Sequence, residues 1–157
     1  MTAITAYDKS IVRVPDSEAA AALPRSWVVF ELAPRMHTPA LAEGFDPGTY
    51  GTKGPAFEFL FANLSQWTGW RDELRGMIRA EPVGAVTANE PFADLLELPD
   101  LGGVLGPQRC DRLANEFRTW KQAVRTADSR FTRSYDALLS VFEYAEGGGM
   151  VWVAQPA

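Results

Sequence analysis

At 157 residues the chain is the size of one domain and long enough to bury a sizeable core. Hydrophobic residues make up 46% and charged residues 22%, ordinary for a globular fold, and the five tryptophans call for a well-filled core or an aromatic-lined groove. A net charge of −5 without a Lys/Arg cluster excludes the footprint of a duplex nucleic-acid binder, and a lone cysteine excludes a disulfide framework or a cysteine-based zinc site.

The β-branched residues of SIVRV (10–14) predict a strand. In PDSEAAAALP (15–24), Pro15 and Asp16 start a helix of about two turns and Pro24 stops it. SWVVFEL (26–32), bounded by Pro24 and Pro34, predicts the next strand. Residues 34–55 hold four prolines and four glycines with no period, and predict a long loop of the kind that is often functional. Phe57, Phe59 and Phe61 alternate in AFEFLF (56–61), the pattern of a half-buried strand. Over 65–80, Trp67, Trp70, Leu74 and Met77 recur at helical spacing behind Ser65, which suits an N-cap. Residues 81–90 predict a loop, and PFADLLEL (91–98) a short helix in preference to a strand.

LPDLGGVLGPQRCDRL (98–113) reads as a turn, anchored by Val104 and Leu105, that opens a helix at Gly106-Pro107. Cys110, Leu113, Phe117, Trp120 and Val124 form one apolar stripe, and Phe131, Tyr135, Leu138, Phe142 and Ala145 a second. Gly147-Gly148-Gly149 ends the second helix, and MVWVA (150–154) closes the chain as a strand. The expectation is a single α+β domain over 1–157, with a mixed or antiparallel sheet packed against about three main helices.

Catalytic signals are sparse. His37 is the only histidine, so any histidine-based general base must use it. Cys110 lies on an apolar stripe, where a thiol is inert, which argues against a Cys110–His37 pair. DPGTYGTKG (46–54) lacks the spacing and ending of a phosphate loop. No residue pattern demands a metal or a cofactor, and only carboxylates such as Asp94 and Asp100, should they converge, leave room for hydrolysis. The more suggestive segment is NLSQWTGWRDEL (63–74). Ser65 at a helix start, Trp67 and Trp70 as stacking surfaces and Arg71 as a fixed positive fork would suit a flat anionic ligand. The same residues also read as a cap, two core tryptophans and a surface arginine. No apolar run reaches the roughly 18 residues of a membrane span and no signal-peptide pattern is present, so a cytoplasmic protein without a membrane partner is expected.

SQWTGWRDEL, PFADLLELPDLGGVLGPQRCDRLANEF and YDALLSVFEYAEGGGMVWV together resemble a family of small bacterial and phage proteins of uncharacterised activity. That family shows a Ser-aromatic-Trp-Arg element, a Ser-Asp-Cys-Glu-Gly turn before a Gly-Pro helix start, and a closing helix, Gly-Gly and strand. Ser65, Trp67, Trp70 and Arg71 match the first, Asp100, Gly103, Gly106 and Pro107 the second, and Gly148 and Gly149 the third, across residues 57–154. Pro99, Leu101 and Gly102 depart from the turn's serine, cysteine and glutamate.

The resemblance implies a fold and a candidate site of Ser65, Trp67, Trp70, Arg71, Asp100, Gly102 and Gly103, with the turn bordering the helix start. The expected function is non-enzymatic binding of a small, nucleotide-like ligand, such as a signal sequestered by a phage or bacterial protein in an anti-defence role. The alternative is a protein partner, bound as an immunity protein or an inhibitor of a host factor binds its target, for which an acidic single domain is suited.

Overall fold

The computed structural model describes residues 1–80 and 90–155, so the loop expected over 81–90 lies outside the described residues except for Glu90. Thr2–Tyr7 forms β1, Val12–Arg13 β2, Ser17–Ala22 α1, Val28–Leu32 β3, Pro39–Ala42 α2, Gly48–Thr52 β4, Phe57–Phe61 β5 and Leu64–Ala80 α3. Ala93–Leu96 forms α4, Gly102–Leu105 β6, Pro107–Trp120 α5, Ser129–Ala145 α6 and Met150–Ala154 β7, with a 3-10 turn over Ala123–Thr126. The fold is α+β, and its strands make two antiparallel sheets, ordered β5-β1-β7-β6 and β2-β4-β3.

Strand periodicity sorts the larger sheet into two faces. Ile4 pairs with Phe59 and Val153, and Leu105 with Val151, so these side chains share one face. Against them α3 packs Trp67, Trp70, Leu74 and Ile78, α5 packs Cys110, Leu113 and Phe117, and α6 packs Phe131, Tyr135, Leu138 and Phe142. Both long apolar stripes are therefore core, as their helical spacing predicts. α6 starts where the Asp128 carboxylate accepts the Phe131 N–H at 2.9 Å. It is tied to α5 by the buried Tyr135 hydroxyl, which donates to the Phe117 carbonyl at 2.6 Å.

The other face carries Tyr7, Val104 and Met150, which join Leu32, Ala42 and Tyr50 in a second, smaller core. Tyr7 stacks on Phe30 of β3 with ring centroids 4.0 Å apart. The three-stranded sheet thus covers one end of this face and leaves the end around Ala3, Thr5 and Trp152 open.

Three strands depart from the sequence expectation. β1, the inner strand between β5 and β7, is buried at five of its six residues and carries mostly small side chains, so TAITAY shows no clean alternation. β4 is the middle strand of the small sheet although GTYGT is glycine-rich; Gly51 lies under Leu23, where a larger residue would collide. With α2, it gives structure to the segment expected to be a 34–55 loop. β6 occupies what reads as a turn: Gly102 has φ +100, and a Cβ there would overlap the Val153 carbonyl of β7.

Candidate functional site

The helix start that the sequence singles out is capped by Asn63, not Ser65. The Asn63 side chain accepts the Gln66 N–H at 2.8 Å, and Ser65 is left exposed in the first turn. Asn is among the strongest N-caps and stands two residues earlier. Trp67 is fully buried and Trp70 is 5% exposed. The two indoles stack with centroids 6.4 Å apart, and the far face of Trp70 is covered by Phe131 at 5.0 Å. The Arg71 guanidinium lies 4.7 Å from the Trp67 ring. Neither tryptophan presents a free ring face on which a base could stack.

Arg71 is the fastener of this region. Its side chain is 4% exposed, and it donates to the Leu95 carbonyl at 3.3 Å and the Leu98 carbonyl at 2.6 Å while pairing with the Asp100 carboxylate. Burial lowers its pKa from the ordinary arginine value, and the Asp100 charge opposes that shift. The structure therefore brings the Asp100 turn and α3 together through an ion pair in which the two terminal nitrogens of Arg71 bond the α4–β6 connection, while its buried Nε has no partner among the described residues. Gly102 and Gly103 sit inside β6, where they allow the close approach to β7 and to Leu98.

The helix start at Gly106-Pro107 is occupied as well. Glu43, in left-handed backbone at φ 51, places its carboxylate on α5, accepting the Gln108 N–H at 3.2 Å and the Arg109 N–H at 3.1 Å. This internal anion fills the position a phosphate would take at a helix N-terminus. Asp94 pairs with Arg112 at 3.1 Å and Asp100 with Arg71, so the two carboxylates are bound to different arginines. Cys110 is buried, donates to the Leu105 carbonyl, and has its thiol pKa pushed up by burial. His37 contacts Asp46 at 3.2 Å. Glu116, whose pKa is raised by burial, accepts the Phe92 N–H at 2.6 Å. Among the described residues no group of three His, Cys, Asp or Glu could hold a metal ion, and no helix is long and apolar enough to cross a membrane.

Two concavities stand out among the described residues. A groove of about 450 Å³ between α3 and α6 is rimmed by Ser65, Glu73 and Arg130, with Trp70 and Phe131 beneath. Both aromatic rings there are already stacked against other rings, so the groove presents their edges and an open polar rim.

A slot of about 460 Å³ lies on the open end of the larger sheet, between that sheet and the segment that follows β3. Ala3 and Ala154 are paired neighbours that form a low floor, and Arg35 stands on the opposite wall. Trp152 pairs with Thr5, and Thr5 with Glu58, so these three side chains form one row across β7, β1 and β5 on the slot side. The Thr5 hydroxyl donates to Glu58 Oε2 at 3.2 Å. The Trp152 indole N–H is shut off from solvent without a partner among the described residues. Arg35 is exposed and forms no ion pair among them. Tyr7, also lining the slot, has its pKa pushed up to about 12, first by burial and then by the Glu58 charge, and so offers a neutral hydroxyl at physiological pH.

Small-molecule sites are concave and largely apolar with a few convergent polar groups, and the slot has that composition. Sequence reasoning passed over Thr5, Arg35, Glu58 and Trp152. One signal was present: in MVWVA, Trp152 must face away from Val151 and Val153. No protein-family model, no curated protein and no solved structure matches the chain.

Proposed function

We propose that the chain is a non-enzymatic binding protein for a small, nucleotide-like ligand seated in the slot between the larger sheet and the segment after β3. The observation that carries this reading is an exposed arginine, without an ion pair among the described residues, lining one concavity of about 460 Å³ over an alanine floor beside Trp152. Arg35 supplies the cation for a phosphate, and the volume suits a nucleoside monophosphate. In the bacterial or phage setting that the family resemblance suggests, such a protein would sequester a cytoplasmic signal without cleaving it. The ligand contacts expected at Ser65, Trp67, Trp70, Arg71 and the Asp100–Gly103 turn are replaced in this proposal by contacts in the slot.

The test is a titration of the 15N-labelled chain with nucleoside monophosphates, following the Trp152 indole resonance assigned through Trp152→Phe. Saturable movement of that resonance, with affinity lowered about tenfold or more in Arg35→Gln, is the expected result. Shifts confined to Ser65, Gly69 and Arg130 would move the site to the α3–α6 groove. No shift at millimolar ligand would end the binding reading.

A protein partner is the second reading, favoured by the small sheet. Val12 and Val29 flank Gly51 in one row across it, exposed by 42% and 43%. Replacing both valines by threonine would abolish a stoichiometric complex with such a partner and leave the slot intact.

A further inference from the structure

Resting on the slot reading, we infer that the slot takes a purine nucleotide by stacking its base on the Trp152 ring, without reading the amino or keto groups of the base edge. Trp152 is half-buried and lines the slot, yet its indole nitrogen is shut off from solvent, so the surface it shows there is carbon. Trp70 is stacked on both sides, by Trp67 and Phe131, whereas no aromatic ring among the described residues stacks on Trp152. Strand alternation says which flank of the ring is open. Toward one end of β7 its same-face neighbour is Met150, in the second core, and toward the other it is Ala154. Ala154 belongs to the row Ala3–Ala154–Gly102, which carries nothing larger than a methyl group across three strands. Rows on one face lie about 7 Å apart along the strand, so the ring rises as a wall beside a low apolar floor.

The polar side chains nearest this space are bonded to the protein itself. Thr5 spends its hydroxyl hydrogen on Glu58, at the β5 end of the row and two strands from Trp152. The Gln155 amide accepts the Thr2 hydroxyl at 2.8 Å and donates to the Asp100 carbonyl at 3.4 Å. A base on the floor is therefore held by the area it shares with the indole. Every base has a π-face, so stacking tolerates changes at the edge, and a two-ring purine covers more of an indole than a one-ring pyrimidine. Apolar sites reject an isostere with a different polar group only weakly, so adenine and hypoxanthine are equivalent here.

The experiment measures calorimetric dissociation constants of the whole chain for AMP, IMP, CMP and UMP, with the Trp152 indole resonance reporting occupancy of the slot. AMP and IMP are expected to bind within about threefold of each other, and each about 5- to 20-fold more tightly than CMP or UMP. Trp152→Leu is expected to bring purines and pyrimidines within about threefold. Because Trp152 also packs on the second core, Ala154→Leu serves as the second variant: it keeps the ring, fills the floor beside it, and is expected to weaken AMP and IMP about tenfold or more. AMP and IMP further apart than about threefold, or purines and pyrimidines equal, with the Trp152 resonance shifting throughout, overturns this inference and leaves the slot reading standing. A resonance that moves with none of the four overturns both. A purine preference and affinity unchanged in both variants overturns the assignment to Trp152.

Discussion

On the helix side of the larger sheet, the charged groups that enter the protein meet internal partners. Arg71 bonds two carbonyls and Asp100, Asp94 is held by Arg112, and the Glu43 carboxylate caps α5. On the other side, at the end the small sheet does not cover, Arg35 stands exposed beside the slot without an ion pair among the described residues. Buried polar atoms without a partner occur on both sides, Trp67 Nε1 and Arg71 Nε on the helix side and Trp152 Nε1 on the other, so the contrast rests on the arginines. Groups satisfied from within act on the fold. A cation left without a counter-ion beside open volume can be paired by something that enters.

The difference can be broken first at its strongest point. Trp70 lies between Trp67 and Phe131, and its indole N–H donates to the Phe131 carbonyl at 3.3 Å. Trp70→Ala opens a large cavity between α3 and α6 and is expected to destabilise the chain by about 3–5 kcal/mol in urea unfolding. A loss below about 1 kcal/mol would mean that this stack is not the structural element described, and would return the α3–α6 groove to consideration as a site.

A smaller effect is expected where an internal carboxylate occupies the α5 start. Glu43→Ala removes the acceptor for the Gln108 and Arg109 N–H groups and its favourable interaction with the helix dipole, for a loss of about 1–2 kcal/mol. Glu43→Gln keeps an acceptor and is expected to lose less than half of that. If both variants were as stable as the parent chain, the α5 start would be free for an external anion after all. Urea midpoints for the pair decide it.

Legibility in the sequence follows from how each element meets the core. The stripes from Cys110 to Val124 and from Phe131 to Ala145 are long and one-sided, so helical spacing alone identifies them. The 3-10 turn at Ala123–Thr126 breaks the first stripe's helix yet still buries Val124. β1, β4 and β6 escaped notice because they are inner strands or glycine-bearing strands with no polar face to set the rhythm. Trp67, Trp70 and Arg71 looked like ligand-binding types at a helix start. The spacing that put them on one face also put that face against the core, and spacing cannot say what the face meets. The slot was illegible for another reason. Thr5, Glu58 and Trp152 belong to no motif and become neighbours only through strand register, while Arg35 borders the same slot from the segment that follows β3.

The smallest expected effect on stability is the sharpest test of the contrast. Arg35 is exposed, makes no ion pair among the described residues, and borders the slot without joining either hydrophobic core. Removing its charge disturbs no internal contact, so Arg35→Gln is expected to unfold within about 0.5 kcal/mol of the parent chain. The same substitution takes away the only arginine that lines the slot among the described residues and should weaken phosphate-bearing ligands while leaving the corresponding nucleosides unaffected. Arg71→Gln should behave in the opposite manner, with a marked loss of stability and no selective loss of phosphate, because its guanidinium is committed to Leu95, Leu98 and Asp100. Measuring stability and phosphate dependence in the two variants together separates an arginine that fastens the fold from one that awaits a ligand. If Arg35→Gln proved as destabilising as Arg71→Gln, the open end of the sheet would be structural too, and the contrast between the faces would not hold.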